Sequence, residues 1–589
     1  MTWALGHLVT LADPESYDTR YKMWNLEDLP MIPTNLRTTT IKKTQKQFNS
    51  IKRLLNRSDI DEIVVATDSA REGELVARWI IDKANVSKPI KRLWISSVTD
   101  KAIQEGFKNL KDGKHYENLY HAAAARSEAD WYVGLNATRA LTTKFNAQLS
   151  AGRVQTPTLG IIAQRETEIK SFTPRKYNEV TFKSDNGITF VWNDSKNNSR
   201  IFNKEQADNL YNKMNNQTSI INFIEKAQKK NFAPQLYDLT ELQRDANKIY
   251  GFSGKQTLRI MQQLYERHKV LTYPRTNSRV ISSDIVPTLK DRIKACSFGE
   301  YDKYTSKLVH KTFHLSKIDT LNSNEKRIYD LVTKRFLAVL SEPFEYEQIK
   351  MIAEINGETL IAKENLTTKI GWKEIYGEKQ STKGGNLRQG QHIKGQLLLR
   401  EGSTLPPERH TEDSLLKAME NPAKYMEETD RKMAKTLQIV GGIGTVATRA
   451  DVIDKLINGQ YIEQRGKYLH LTRTGKQLLD LAPEDLCSPA LMAEWEEKLL
   501  KIEKGELRKS QFISEIKSYT KDIVHQIKNM EETFKHDNIT GTKCPNCDDF
   551  MLEVENKQSK FLRCKNQSCN HKKISIKTLM LDVLNVRNG

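Results

Sequence analysis

Four separated segments hold side chains whose types and spacing could do chemistry. In Ala66-Thr67-Asp68-Ser69-Ala70-Arg71-Glu72-Gly73-Glu74, carboxylates recur at 68, 72 and 74. They follow the apolar run Ile63-Val64-Val65, which reads as a buried strand. They lead into a helix with Leu75, Val76, Trp79 and Ile80 on one stripe. Ligands of a parallel α/β sheet gather beyond the carboxyl ends of its strands, and one or two carboxylates with water suit Mg²⁺. From these residues alone a plainer reading leads: Ser69-Ala70-Arg71-Glu72 has the form of a capping box, and acidic residues at a helix N-terminus need no ligand.

In Tyr273-Pro274-Arg275-Thr276, proline disfavours the helical region for the residue before it, so Tyr273 is expected to be extended. Residues i and i+2 of an extended segment share a face, which puts the phenol and the guanidinium together. A guanidinium can hold a phosphodiester bidentately and offset charge developing at phosphorus. Arg267, Lys269 and Arg279 add positive charge; the alternative is a turn tyrosine beside a surface arginine. In Ser150-Ala151-Gly152-Arg153-Val154-Gln155-Thr156-Pro157-Thr158-Leu159, Gly152 lets backbone amides approach a phosphate chain. The same letters also fit a Gly/Pro-punctuated connection. Arg126 and Asp130 are spaced for an intrahelical ion pair, and Arg139 for either solvent or a phosphate. Finally, Cys544-Pro-Asn-Cys547 and Cys564-x₄-Cys569 flank strand-like sequence, the pattern of a four-thiolate Zn²⁺ site. His571 is a spare donor; Cys296 and Cys487 read as buried thiols.

The elements that must position these groups are legible in outline. Residues 1–120 alternate strand and helix patterns, with Ile90–Ile95 as a second strand. Residues 100–145 are mostly helical around the alanines at 122–125. Short strands with Asn/Asp/Gly turns, such as Asp185-Asn186-Gly187, fill 176–236. A helical block runs from Leu239 through Ile249 and Gln256 to Tyr265. Residues 350–400 are strand-rich, with a Gly/Gln/Lys-heavy loop around Gly384 and Gly385. Helices return from Thr411 to about 530. Among them, Ala450–Ile457 followed by Tyr461-Ile462 and Tyr468-Leu469-His470-Leu471 reads as a helix and hairpin, the outline of a winged helix. The chain has 589 residues, 93 Lys+Arg and 74 Asp+Glu, for a formal net charge of +19. That excess predicts a polyanionic partner. No apolar run approaches the roughly 20 residues of a spanning helix, and Met1-Thr2-Trp3 lacks the basic start of a secretory signal. The 6 cysteines, most of them clustered, fit a metal site in a reducing, cytoplasmic setting better than disulfides.

The order of these segments resembles the type IA DNA topoisomerase family. The resemblance runs from Trp3-Ala4-Leu5-Gly6-His7-Leu8 through Asp68–Glu74, Ser127-Glu128-Ala129-Asp130-Trp131, Asn136–Arg139, Ser150–Leu159, Leu242-Gln243, Leu271–Ser278 and Pro406–Glu412 to Gly442–Thr445 and Arg449. It implies a multidomain α/β plus α+β chain with a toroidal core. The expected parts are an incomplete Toprim domain at 1–120 and a winged-helix DNA-groove domain at 121–175 and 411–535. A strand-rich arch at 176–238 and 351–410, a tyrosine domain at 239–350, a zinc ribbon at 541–575 and a tail at 576–589 complete it. It implies Tyr273 as nucleophile, forming a 5′-phosphotyrosine, with Arg275 on the scissile phosphate and Asp68 and Glu72 at Mg²⁺. Zn²⁺ would sit on Cys544, Cys547, Cys564 and Cys569. DNA contacts would come from His7, Trp131, Arg139, Ser150, Ala151, Gly152, Arg153, Val154, Gln155 and Arg275. The implied partners are single-stranded and negatively supercoiled DNA in a bacterial nucleoid, with a helicase beside the enzyme and no membrane. No G-x₄-G-K-[ST] loop is present, in keeping with ATP-independent chemistry.

Three departures qualify the resemblance. The family's Toprim domain opens with a strand ending in Glu-Lys, which does not precede Met1 here; Ala70 replaces one carboxylate of D-x-D-x-E; and Asn277 stands at an acidic position. General acid–base help contributes about 10²–10⁴-fold, so this chain is expected to bind DNA and cleave it poorly. A silent DNA-binding relative and a Toprim nuclease or primase are the competing classes.

Overall fold

The computed structural model describes residues 1–4, 6–296, 301, 304, 320–379, 387–426, 431–555, 560–566, 569 and 571–574. Leu5, the Gly384-Gly385 loop and the tail from 576 fall outside the described residues. The chain divides into two compact units, Met1–Gln164 with Leu415–Gly589, and Arg165–Ser414.

In the first unit, strands Ile63–Val65 and Ile90–Arg92 pair in parallel, and the short Lys111–Asp112 adds antiparallel to the second. Helix Arg71–Ala84 covers them, burying Leu75, Trp79 and Ile80 as the stripe predicts. A small ribbon, Val9–Leu11 against Thr38–Thr40, was not legible in the sequence. The alanines at 122–125 lie buried within the 29-residue helix Glu117–Phe145. Their small side chains let backbones approach, and this helix packs against Arg71–Ala84, Pro489–Glu503 and Lys509–Asn529. One apolar core therefore joins residues on both sides of the second unit's insertion, from Tyr21 through Ile162 and from Leu415 through Ile527. Helix Arg449–Asn458 and the hairpin Ile462–Arg465/Tyr468–Leu471 match the expected winged-helix outline. A four-stranded sheet, Ile539–Lys543, Phe550–Glu555, Lys560–Cys564 and Lys572–Ile574, forms the cysteine module.

The second unit is built on a seven-stranded antiparallel sheet. Its order is His392–Ile393, Ser219–Asn231, Phe344–Ile355, Glu358–Lys369, Thr189–Trp192, Lys176–Ser184, Gly395–Ser403. Gly187, at φ +83, closes the hairpin that Asp185-Asn186-Gly187 predicts. Alternating burial along Phe344–Ile355 leaves one face on the core, the period-two pattern of a half-covered sheet. The expected helical block from Leu239 to Tyr265 is corrected to two helices, Leu239–Tyr250 and Gly254–Glu266. Gly251 ends the first in the left-handed conformation, and the Ser253 side chain caps the second by accepting from the Gln256 N–H. Among the described residues no helix is long and apolar enough to cross a membrane.

Candidate active and metal-binding sites

Asp68 is exposed just past strand Ile63–Val65, on a turn anchored from below. Arg92, fully buried, donates to the carbonyls of Val65 (3.1 Å), Thr67 (2.8 Å), Leu93 (3.0 Å) and Asp68 (2.6 Å). Its Nε also bonds Glu74 Oε2 at 3.0 Å, and Arg78 takes the other oxygen at 2.8 Å. Burial pulls the Arg92 pKa down; the Glu74 carboxylate works against that. Removing one partner of a buried pair costs about 3–5 kcal/mol, so Glu74 belongs to the support of the turn and not to a cation. Gly73 is required here, because a Cβ would lie 2.1 Å from the Asp68 carbonyl oxygen.

The capping-box reading does not hold. Ala70 is the N-cap, and no side chain caps the helix. Ser69 instead donates to the Ile95 carbonyl at 2.9 Å and accepts from its N–H at 3.2 Å, joining the ends of the two parallel strands. Glu72 is left exposed, with Oε1 2.5 Å from His7 Nε2. The His7 hydrogen bond lowers the Glu72 pKa, with burial opposing and Arg126 assisting. His7 also meets the Trp79 ring edge-on at 6.2 Å. Asp68 and Glu72 are exposed carboxylates, hard oxygen donors of the kind that would suit Mg²⁺.

Behind this turn lies an ion network that sequence spacing misassigned. Arg126 and Asp130 do not pair with each other. Asp130 bonds Arg153 Nε at 2.6 Å, and Arg126 lies 3.9 Å from Glu496. Glu496, 3% exposed, also takes Arg153 at 3.4 Å and Arg71 at 2.9 Å, while Arg71 reaches Glu503 at 2.9 Å. Burial alone would raise the Glu496 pKa; the arginines Arg153, Arg126 and Arg71 reverse it. Glu496 was missed because nothing distinguishes it in sequence from Glu494 or Glu497.

The 148–155 segment is fastened along the long helix. Thr142 exchanges bonds with Leu149 and Thr138 with Ala151, while the Tyr461 hydroxyl accepts from the Ser150 N–H (2.7 Å) and donates to the Gln148 carbonyl (3.1 Å). Gly152 N–H bonds Thr156, and Gln155 bonds the Ser150 carbonyl. Val154 abuts Gly444, which sits at φ +69. Ser150, Gly152, Val154 and Gln155 keep partial exposure, whereas Ala151 and Arg153 are buried. Two other expected DNA contacts face inward. Arg139 donates to the Tyr21 carbonyl at 2.6 Å under the Trp24 ring, and Trp131 donates to the Ala12 carbonyl at 3.0 Å. The side chains of Arg139, Trp131 and Arg153 are buried and make these bonds within the chain.

In the second unit, Tyr273 and Arg275 are exposed on either side of buried Pro274, outside any helix or strand. The Tyr273 ring meets Tyr265 edge-on at 5.6 Å, and Lys269, at φ +56, lies over Tyr265. Downstream, the Thr276 carbonyl accepts the Leu239 N–H at 3.1 Å, and Arg279 bonds Asp238, the cap of helix Leu239–Tyr250, at 2.6 Å. Upstream, His268 lies 3.3 Å from Glu325. The Pro406–Glu412 motif also serves this unit: Glu412 accepts the Gly254 N–H at 2.6 Å, and Arg409 pairs with Glu166.

The sulfurs of Cys544, Cys547, Cys564 and Cys569 lie within 4.8 Å of one another, with contacts of 3.5 and 3.3 Å. Tetrahedral Zn²⁺ with thiolates at about 2.3 Å would space its sulfurs by about 3.8 Å, so the cluster fits. Burial opposes ionisation of Cys544, but the Asn546 N–H and neighbouring thiols outweigh it, leaving that thiol at about 7; burial and Cys547 push Cys564 up to about 12. His571 is outside the cluster. Burial pushes the separate thiols Cys296 and Cys487 up to about 11 and about 12, in keeping with inert packing roles.

Residues 114–514 match the family described as DNA topoisomerase, and residues 1–98 match the Toprim domain. Over 606 residues the chain is 53% identical to a DNA topoisomerase 3 of Bacillus anthracis, covering 97% of this chain and 83% of that protein. It is 51% identical, with the same coverage, to a DNA topoisomerase 3 of Bacillus subtilis (strain 168). Full-length topoisomerase I from Thermotoga maritima is similar in structure, with TM-score 0.67 and 24% identity over 97% of this chain and 93% of that one, a likeness of fold alone. With the family match spanning most of the sequence and the motifs in their expected order, the chain belongs to the DNA topoisomerase family, in its type IA branch.

Proposed function

We propose that the chain opens one DNA strand through Tyr273, lets another strand pass and reseals the first, without ATP, relaxing negative supercoils and unlinking DNA. The Tyr273 oxygen forms a bond to phosphorus as the bond from phosphorus to the 3′-oxygen breaks. The phenol loses its proton and the departing 3′-oxygen gains one. Resealing is the reverse, and the phosphotyrosine conserves the phosphodiester energy. Arg275 would hold the phosphate and offset its developing charge. Asp68 and Glu72 would hold Mg²⁺, which when bound screens charge on the phosphodiester. Single-stranded DNA would run along the partly exposed backbone of 150–155, and a helicase that exposes single strands is a fitting partner.

The observation that carries this reading is the exposure of Tyr273 and Arg275 on either side of buried Pro274, at a tight turn in which the Thr276 N–H donates to the Pro274 carbonyl at 3.0 Å. Family membership favours the enzyme over a binding-only relative. The test is relaxation of negatively supercoiled plasmid with Mg²⁺, alongside trapping of a covalent adduct on 5′- and 3′-labelled single-stranded DNA. Tyr273→Phe should abolish both while leaving DNA binding intact. Relaxation that survives in Tyr273→Phe would refute the assignment.

A further inference from the structure

Helix Glu117–Phe145 ends at Asn146, which takes the left-handed conformation at φ +47. Its side-chain amide donates to the carbonyls of Cys564 (3.2 Å) and Lys565 (2.7 Å), and its own carbonyl accepts from Arg563 at 2.8 Å. A closed ring of three hydrogen bonds thus ties the helix end to residues 563–565. Those residues end strand Lys560–Cys564 and include one thiol of the cluster. Within the module the same stretch is fixed by Cys564 N–H to the His571 carbonyl (3.0 Å) and Lys565 N–H to the Phe550 carbonyl (3.0 Å). Arg563 is desolvated at this contact, and its Nε is buried. The turn leading away from Asn146 is the 148–155 segment, whose first bonds are Tyr461 hydroxyl to the Gln148 carbonyl and Leu149 to Thr142.

A sheet this small, with little apolar area to bury, depends on its metal for folding. We propose that the four-cysteine module is a clamp on the helix end, so that metal bound by its thiolates orders residues 146–155 through Asn146 and Arg563. Asn146 is a positioning residue: it lies outside the four-thiol cluster and acts through its bonds to residues 563–565. The inference rests on the proposed DNA contact at 150–155 only in its last arm.

The test is hydrogen exchange on the full chain, zinc-loaded and after zinc chelation with Mg²⁺ kept in excess, for wild type and Asn146→Gly. Glycine keeps the left-handed backbone and removes only the two donated bonds. Chelation should speed exchange in 146–155 of wild type about tenfold, the scale of losing hydrogen bonds of ordinary net strength, while strands 344–369 stay protected. Asn146→Gly should still bind one zinc, show the faster exchange already when loaded, and respond little to chelation. If chelation deprotects the module while 146–155 is unchanged, or if Asn146→Gly exchanges like wild type, the clamp is refuted. A single-stranded oligonucleotide then separates the two claims. Weaker binding in both altered states supports the whole chain of effect. Faster exchange with unchanged affinity leaves the clamp standing and removes 150–155 as the DNA contact.

Discussion

Asp68 stands on a turn whose carbonyls are gripped by a buried arginine, with a second layer of ion pairs behind it. Tyr273 stands outside any helix or strand, held by a backbone bond at Thr276, an edge-on ring and the Arg279–Asp238 pair. The acidic turn is preorganised by a buried Arg92–Glu74 pair. The tyrosine segment is exposed at Tyr273 and Arg275 and lies outside regular secondary structure. The contrast matches the proposed chemistry: acidic groups can stay fixed through a cycle, while a nucleophile that forms and breaks a covalent bond to DNA needs room.

Three changes bear on that contrast. Arg92→Ala should have the largest effect. It leaves Glu74 with one partner and takes a donor from four carbonyls, of which Val65 and Asp68 keep backbone N–H partners, so the first unit should lose about 3–5 kcal/mol, read as an earlier unfolding transition in urea. A melting curve like wild type would mean the turn is not held from below. Arg279→Ala should destabilise less than Arg92→Ala, since Arg279 is itself partly exposed and Asp238 keeps the Glu241 N–H, yet slow adduct formation about tenfold, the scale of a hydrogen bond between charged groups. Equal slowing of cleavage and loss of stability would erase the distinction between the regions. His7→Ala should act least. Because the folded Glu72 pKa lies below its ordinary value of 4.5, its contribution is present above that value and fades as pH falls through the lowered one. The variant should therefore be slightly less stable than wild type at neutral pH and converge with it near the bottom of the acid range. A difference that instead grows on acidification would reverse the assigned sign.

Much of the fold was legible because it depends on local chemistry. Gly187, the wing hairpin and the spacing of Cys544 and Cys547 carry their geometry in a few adjacent residues. The break in the 239–265 block was also written locally, in Gly251 and Ser253, but periodicity alone runs across it. The arginines were not legible. Arg153 looks like a phosphate contact until Glu496, 343 positions away, is folded against it. Arg139 and Trp131 likewise turn inward to carbonyls more than a hundred residues distant.

Residue types by themselves determined the family, the four-thiol knuckles and the basic charge, because metal spacing and net charge are properties of short stretches or simple sums. Only tertiary structure decided which charged groups are offered to a ligand and which are spent inside. A side chain's burial depends on partners brought from remote parts of the chain, and a buried charge is tolerated only where such a partner arrives.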